Sequence, residues 1–198
     1  MRYDKYIDNI ITSRRSARIF IKRRLSEKIV RQILATAIWA PCPHGFQPWK
    51  FVILRRKSTK KVEIIRMLEN NADSVSVGLR AIFKHNIEIM KKADMMIAVF
   101  NMHDLMFKAK SFEASYGRVF EIFEIQSISA VIQNILLGSS ARKIGSLWIG
   151  LPIIFGKRIS RILGEDNAEL MAFVVLGYTK NHLKITTRIP LQKKMRFR

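Results

Sequence analysis

Ala40-Pro41-Cys42-Pro43-His44-Gly45-Phe46-Gln47-Pro48-Trp49-Lys50-Phe51 is the stretch on which the fold of this chain turns. Pro41, Pro43 and Pro48 break a helix and constrain the loop that follows it. A fixed backbone can present amide and carbonyl groups to a planar heterocycle without an ordering cost. The same residues would also serve as a plain helix-to-strand connector anchored by buried Trp49 and Phe51. Just upstream, Ser26 is placed to cap a helix running to about Ala40, with Glu27 favourably sited in its first turn. Ile29, Ile33 and Ala37 repeat every four residues there, flanked by Val30 and Leu34, which makes an amphipathic helix with a core-facing stripe. Just downstream, Lys50 to Leu54 is a short apolar run of strand type.

Working outward, residues 4–13 read as a short helix with Tyr6, Ile7, Ile10 and Ile11 on one side. A basic loop follows. Residues 58–70 and 78–92 are helical in pattern, and Met95 to Phe100 reads as a buried strand. Residues 101–115 carry no pattern that assigns them. From Tyr116 to Arg142 a long helix is expected, apolar almost all round between Ile128 and Leu137 and so destined for the core, with Gly145 as its stop. Ser146 to Gly150 forms a turn or short strand, Ile159 to Leu163 a short helix stopped by Gly164, and Leu170 to Leu176 a strand ended by Gly177. The tail from Lys180 to Arg198 is basic with little hydrophobic periodicity. Together these give an α+β fold, a small mixed sheet covered by helices with one long central helix. Residues 1–198 are expected to form one domain, with a basic C-terminal tail from about 180 onward.

Composition narrows the function classes. Of the 198 residues 48% are hydrophobic, enough for a substantial core. No window approaches the roughly 18–20 uninterrupted apolar residues of a spanning helix. The N-terminus lacks the apolar stretch of a secretory signal, so a cytoplasmic location without membrane attachment is expected. The one cysteine, Cys42, cannot form an intrachain disulfide. His44, His85, His103 and His182 are scattered without zinc-like spacing, which argues against metal catalysis. The net charge of +21 attracts anions: phosphorylated cofactors, polyanionic metabolites, nucleic acid or anionic lipid. No nucleic-acid-binding motif accompanies it, which argues against nucleic acid as a partner.

Two more constellations matter. Arg14-Arg15-Ser16-Ala17-Arg18 sets three guanidinium groups and a hydroxyl in five residues, either a phosphate grip or a solvated basic turn. Gly145-Ser146-Leu147-Trp148-Ile149-Gly150 either lets a ligand approach the backbone closely or merely caps a helix and turns the chain.

The order of these motifs resembles the nitroreductase family: R-R-S-x-R after a first helix, a second helix ending in A-P-x-x-x-x-x-Q-P-W before a strand, then G-S-x-W-I-G before a closing strand. Leu176-Gly177-Tyr178 and Arg188-Ile189-Pro190-Leu191 look like the family's closing segment, so the resemblance runs from about Tyr6 to about Leu191. It implies an FMN enzyme with a two-electron, ping-pong cycle, in which NAD(P)H or another reduced donor gives way to an organic acceptor, an anionic one included. By this similarity Arg14, Ser16 and Arg18, with Arg15 and Arg188, would hold the FMN phosphate and ribityl chain. Pro41, Cys42 and Pro43 would line the isoalloxazine edge, Gln126 would reach the ring, and Ile149 and Gly150 would offer backbone amides near its reactive nitrogen. The chemistry would reside on the flavin, so no catalytic side chain is nominated. The resemblance also implies a homodimer with FMN between its subunits, built on the long helix and exchanged terminal segments.

The match has departures. Where family members often carry two serines and then an asparagine, this chain has Cys42, Pro43 and Gly45. The A-P-x-P-H form looks more like the nitroreductase-type domain attached to glutamyl ligases of deazaflavin coenzyme synthesis. Two alternatives to an enzyme stand beside it: a flavin- or deazaflavin-binding module without turnover, motivated by that altered loop, and a basic nucleic-acid-binding protein.

Overall fold

The computed structural model describes residues 2–103, 116–180 and 187–197. The elements in chain order are α1 (Arg2–Ser13), α2 (Glu27–Ala37), β1 (Trp49–Arg55), α3 (Thr59–Asn70), α4 (Val77–Lys92), β2 (Met95–Asn101), α5 (Gly117–Ala141), β3 (Gly145–Ile149), α6 (Gly156–Leu163) and β4 (Glu169–Gly177). The expectation for residues 101–115 lies, from 104 on, outside the described residues, as does the stretch 181–186 of the tail.

The strands form one four-stranded sheet in the order β1-β2-β4-β3. Trp49 stands opposite Asn101, Asn101 opposite Glu169, and Ile149 opposite Phe173. All three strand pairs are antiparallel, so among the described residues the sheet expected to be mixed has its parallel component in an isolated bridge between Ser16 and Ser146. Successive side chains of β2 alternate between two cores. Met96, Ala98 and Phe100 join Ile64, Phe83 and Ile159 on one face, beneath α3, α4 and α6. Met95, Ile97 and Val99 join Ile33, Val131 and Ile135 on the other, beneath α2 and α5. With both faces covered, β2 is buried along its whole length.

The local signals act largely as the sequence predicts. Ser26 Oγ accepts the Ile29 N–H at 3.4 Å and caps α2, which ends at Ala37, sooner than expected. Gly164 closes α6 with φ 74°. Helix α5 is long and apolar enough to cross a bilayer by length and composition alone. It packs instead against α2, β2, β3 and β4, burying Ile128, Val131, Ile132 and Ile135. Its stop differs from expectation. Lys143 takes the left-handed position (φ 56°), while Ile144 N–H donates to Ser139 O (2.9 Å) and Lys143 N–H to Ser140 O (3.0 Å). Gly145 falls two residues too late for that role and opens β3 instead. Helix α1 also differs: it touches α5 and half-buries Ile10, but Tyr6, Ile7 and Ile11 are exposed.

Candidate functional site

The basic loop after α1 runs along the free edge of β3. Ser16 bridges Ser146, Ala17 N–H donates to Ser146 O (2.9 Å), and Ile21 N–H donates to Tyr178 O (2.9 Å). These bonds occupy a strand edge that would otherwise be open, and they fix residues 14–18 against the strand that ends in Ile149. A Cβ at Gly145 would come 2.9 Å from Ala17 Cβ, so this close approach of loop and strand requires glycine there.

Arginines from both ends of the chain meet at this edge. The Arg14 guanidinium is held below the usual arginine value, first by partial burial and then by the charges of Arg15 and Arg188. Arg15 Nη1 donates to Thr12 O and Arg14 O, both at 2.6 Å, while its buried Nε has no hydrogen-bond partner among the described residues. Arg18 is exposed and reaches back to Ser16 O at 3.3 Å. Like charges gathered in this way repel one another, and a doubly charged phosphate would relieve the repulsion through paired, charged hydrogen bonds. The donor set therefore fits the phosphate of FMN.

Ile149 is buried at the end of β3, and Gly150 follows with φ −93° and ψ −32°, values open to any residue. No heavy atom lies within 4 Å of the position its Cβ would take. Neither conformation nor packing within the chain demands glycine at 150. What its small size provides is open space over the backbone.

The proline loop lies elsewhere. Pro41 is exposed, Cys42 and Pro43 are half-buried, and Pro43–Gly45 forms a short 3-10 turn. His44 and Gln47 have positive φ (49° and 47°), a strained conformation for side chains of that size, and Gly45 (φ 71°) adopts it freely, so the bend is held by more than its prolines. This loop enters β1 while Gly150 leaves β3, and these are the two outer strands. With β2 and β4 between them, they stand roughly 14 Å apart at ordinary strand spacing. One chain therefore assembles Arg14, Arg15, Ser16, Arg188, Ile149 and Gly150 along one edge, with Arg18 alongside. It leaves Pro41, Cys42 and Pro43 at the other edge. Gln126 is exposed on α5.

A polar cluster that the sequence did not single out closes the same end of the sheet. Glu124 is fully buried on α5 and accepts from Asn101 Nδ2 at 2.9 Å. His103 sits between two carboxylates, with Nδ1 3.2 Å from Glu124 and Nε2 3.2 Å from Glu169. Its backbone is left-handed (φ 55°), and its N–H donates to Asn101 Oδ1 at 3.0 Å. One signal was available: Glu124 falls in register with Ile128, Val131 and Ile135, a carboxylate on a core stripe. His103 forms part of the wall of a cavity of about 820 Å³ between the Leu151–Phe155 turn, α6 and the start of β4. Among the described residues no group of three or more His, Cys, Asp or Glu side chains is arranged to hold a metal ion.

Comparison with known proteins adds a family match. A model described as the nitroreductase family matches residues 11–178. A relative from Archaeoglobus fulgidus, provisionally named an NADH dehydrogenase/NAD(P)H nitroreductase, is 26% identical over 175 residues, covering 87% of this chain and 84% of its own length. The FMN-dependent nitroreductase NfnB from Mycobacterium smegmatis, solved with NADPH, superposes with a TM-score of 0.76 at 16% identity, over 99% of each chain. A nitroreductase-type protein from Desulfovibrio desulfuricans in complex with FMN gives 0.74 at 22% identity, over 96% of this chain and 94% of its own.

Proposed function

The chain belongs to the nitroreductase family, and from that premise we propose that it is an FMN-dependent oxidoreductase passing two electrons from NAD(P)H to a small organic acceptor. The observation that carries the reading is the convergence of Arg14, Arg15 and Arg188 on the edge of β3, beside the open backbone at Gly150. FMN bound there supplies hydride chemistry that no side chain can perform. The chain's own part is binding and orientation. Arg14, Arg15, Ser16, Arg18 and Arg188 hold the phosphate end. Ile149 and Gly150 present backbone to the ring without a side chain in the way. The bonds from Ala17 and Ile21 to the sheet keep the two groups in register.

The site is completed by a second copy of the chain. Pro41, Cys42, Pro43 and Gln126 reach the ring from the partner subunit, which accounts for the distance of the proline loop from Gly150 within one chain. Val119, Ile122 and Ile125 on α5, with Tyr116 just before its start, support this, since they are large apolar side chains left exposed. So does the exposed apolar side of α1. Residues 1–198 act as one domain in this scheme.

The test is spectroscopic. Protein purified without added cofactor should show flavin absorption, and anaerobic NADPH or NADH should bleach it. A colourless protein that fails to take up FMN would overturn the assignment. A yellow protein that neither nucleotide bleaches would leave a binding module in its place.

A further inference from the structure

The surplus of positive charge gathers at one end of the sheet. Strand register brings the end of β1 at Arg55, the start of β2 at Met95, the start of β3 at Gly145 and the end of β4 at Gly177 to that end. Gly150 and the His103 cluster lie at the other. Residues 21–25 cross beneath the strand ends, since Ile21 N–H donates to Tyr178 O (2.9 Å) and Leu25 N–H to Asp94 Oδ2 (2.7 Å). Arg56 Nη2 donates to Lys92 O at 2.9 Å and ties the loop after β1 to the turn before β2. Lys22, Arg24, Lys57, Lys92 and Lys143 are thereby brought to one face. All five are exposed, and none forms an ion pair among the described residues. The acids in these loops do not offset them, because Glu27 is paired with Arg55 and Asp94 lies 3.8 Å from Arg56 Nε. The cavity end, by contrast, sets Asp166 and Glu169 beside Lys157, Arg158 and Arg161.

A second copy of this chain would bring like charge against this face. A membrane-binding surface sets apolar or aromatic side chains among its cations for insertion. Residues 21–28, 55–58, 92–94 and 142–144 expose no large apolar side chain. The half-buried Tyr178 ring is covered by Arg23, 4.0 Å from its centroid, and so offers no platform on which a base would stack. What the face presents is charge alone. We infer that this end of the sheet binds double-stranded nucleic acid through its phosphates, without regard to sequence. The chain has no nucleic-acid-binding motif, and contact of this kind needs none. Across the roughly 14 Å between the outer strands a duplex carries about eight phosphates, of which about half face one side, a number that the five cations match. No residue of this face belongs to the proposed flavin site, so the inference does not rest on the oxidoreductase reading.

The probe is a fluorescein-labelled DNA duplex of random sequence, titrated with the protein as purified and followed by anisotropy. About four phosphate contacts predict an affinity that falls roughly 100-fold between about 50 and about 200 mM salt. Arg24→Gln, Lys57→Gln and Lys143→Gln together should weaken binding at least roughly 30-fold at the lower salt and flatten its salt dependence to that of about one contact. The same charge change on α6, Lys157→Gln with Arg158→Gln and Arg161→Gln, should leave affinity within about threefold, because those residues lie beyond a Debye length from the face. Tm and flavin content should be unchanged in both variants, so that a loss reports the face and not the fold. Absence of duplex binding, an affinity indifferent to salt, or an equal loss in the α6 variant overturns the inference. So does sedimentation with phosphatidylserine vesicles in place of duplex binding, which would assign the face to a lipid surface. A colourless protein that still binds the duplex through these residues would sink the oxidoreductase reading and leave this face standing.

Discussion

Gly145 and Gly150 bracket β3 and serve opposite ends. At Gly145 a methyl group would meet Ala17 Cβ at 2.9 Å and Gly177 O at 3.1 Å, so Gly145→Ala should lower stability by about 1–3 kcal/mol in urea unfolding. At Gly150 a methyl group would meet nothing, and Gly150→Ala should leave stability within about 0.5 kcal/mol while weakening retention of FMN on gel filtration. Arg188→Ala should weaken FMN binding roughly 10- to 100-fold, the worth of a charged hydrogen bond, with the loss shrinking as salt is added. Lys61 makes a different prediction. It is buried on α3 and donates to Ala93 O at 2.8 Å, and burial pushes its amine down to about 8. The nearby Arg56 charge adds to the fall, and Asp94 opposes it. Above that value the folded chain sheds a proton that the unfolded chain keeps until its ordinary pKa near 10.5. Stability from this group therefore rises with pH across that window, by up to about 3 kcal/mol. Lys61→Met should remove the rise, as read from the difference between wild-type and variant unfolding at pH 7.5 and pH 10.

Among the elements, β3 depends most on its neighbours. It is five residues long, pairs with β4 on one side and takes the Ser16–Ser146 bridge on the other. The phosphate-binding loop is thus tied to the strand that ends at the ring. The end of α5 that feeds β3 carries a testable imperfection. Lys143 holds a left-handed conformation that glycine adopts without strain, so Lys143→Gly should raise Tm by the equivalent of about 0.5–1 kcal/mol. A null result would mean that its side chain contributes as much as the strain removes. Helix α5 was legible as a buried helix because its apolar run is so long. The identity of its cap was not, since a glycine two residues away looked sufficient. Glu124 escaped notice because one carboxylate on an apolar stripe ordinarily marks a register error; Asn101 at the end of β2 and His103 just beyond it are partners that come from a distant segment.

For the whole molecule, the exposed Val119, Ile122 and Ile125 of α5 and the outer side of α1 are surfaces that an isolated chain leaves to water. If a second copy covers them, Ile122→Glu with Ile125→Glu should yield a monomer by light scattering that has also lost its flavin. A variant that remains dimeric and yellow would place the interface elsewhere. The net charge of +21 acts at this scale too, because it raises the local concentration of any anionic reactant and makes encounter rates fall with salt.

Much of this protein was legible in residue order. The period of apolar residues located α2, β1, β2, α5 and β4 within a few positions, because burial on one face or two leaves a repeat that needs no knowledge of the partner surface. The arginine loop, the proline bend and the glycine turn were legible as candidates for the same reason, since guanidinium, proline and glycine carry their chemistry with them. Tertiary structure alone decided which of these come together. Arg188 meets Arg14 only because the loop lies along β3, and Pro41 is parted from Gly150 only because β2 and β4 come between the outer strands. Proximity between distant segments is a property of strand order and chain path, and the sequence encodes it only through the sum of all packing contacts.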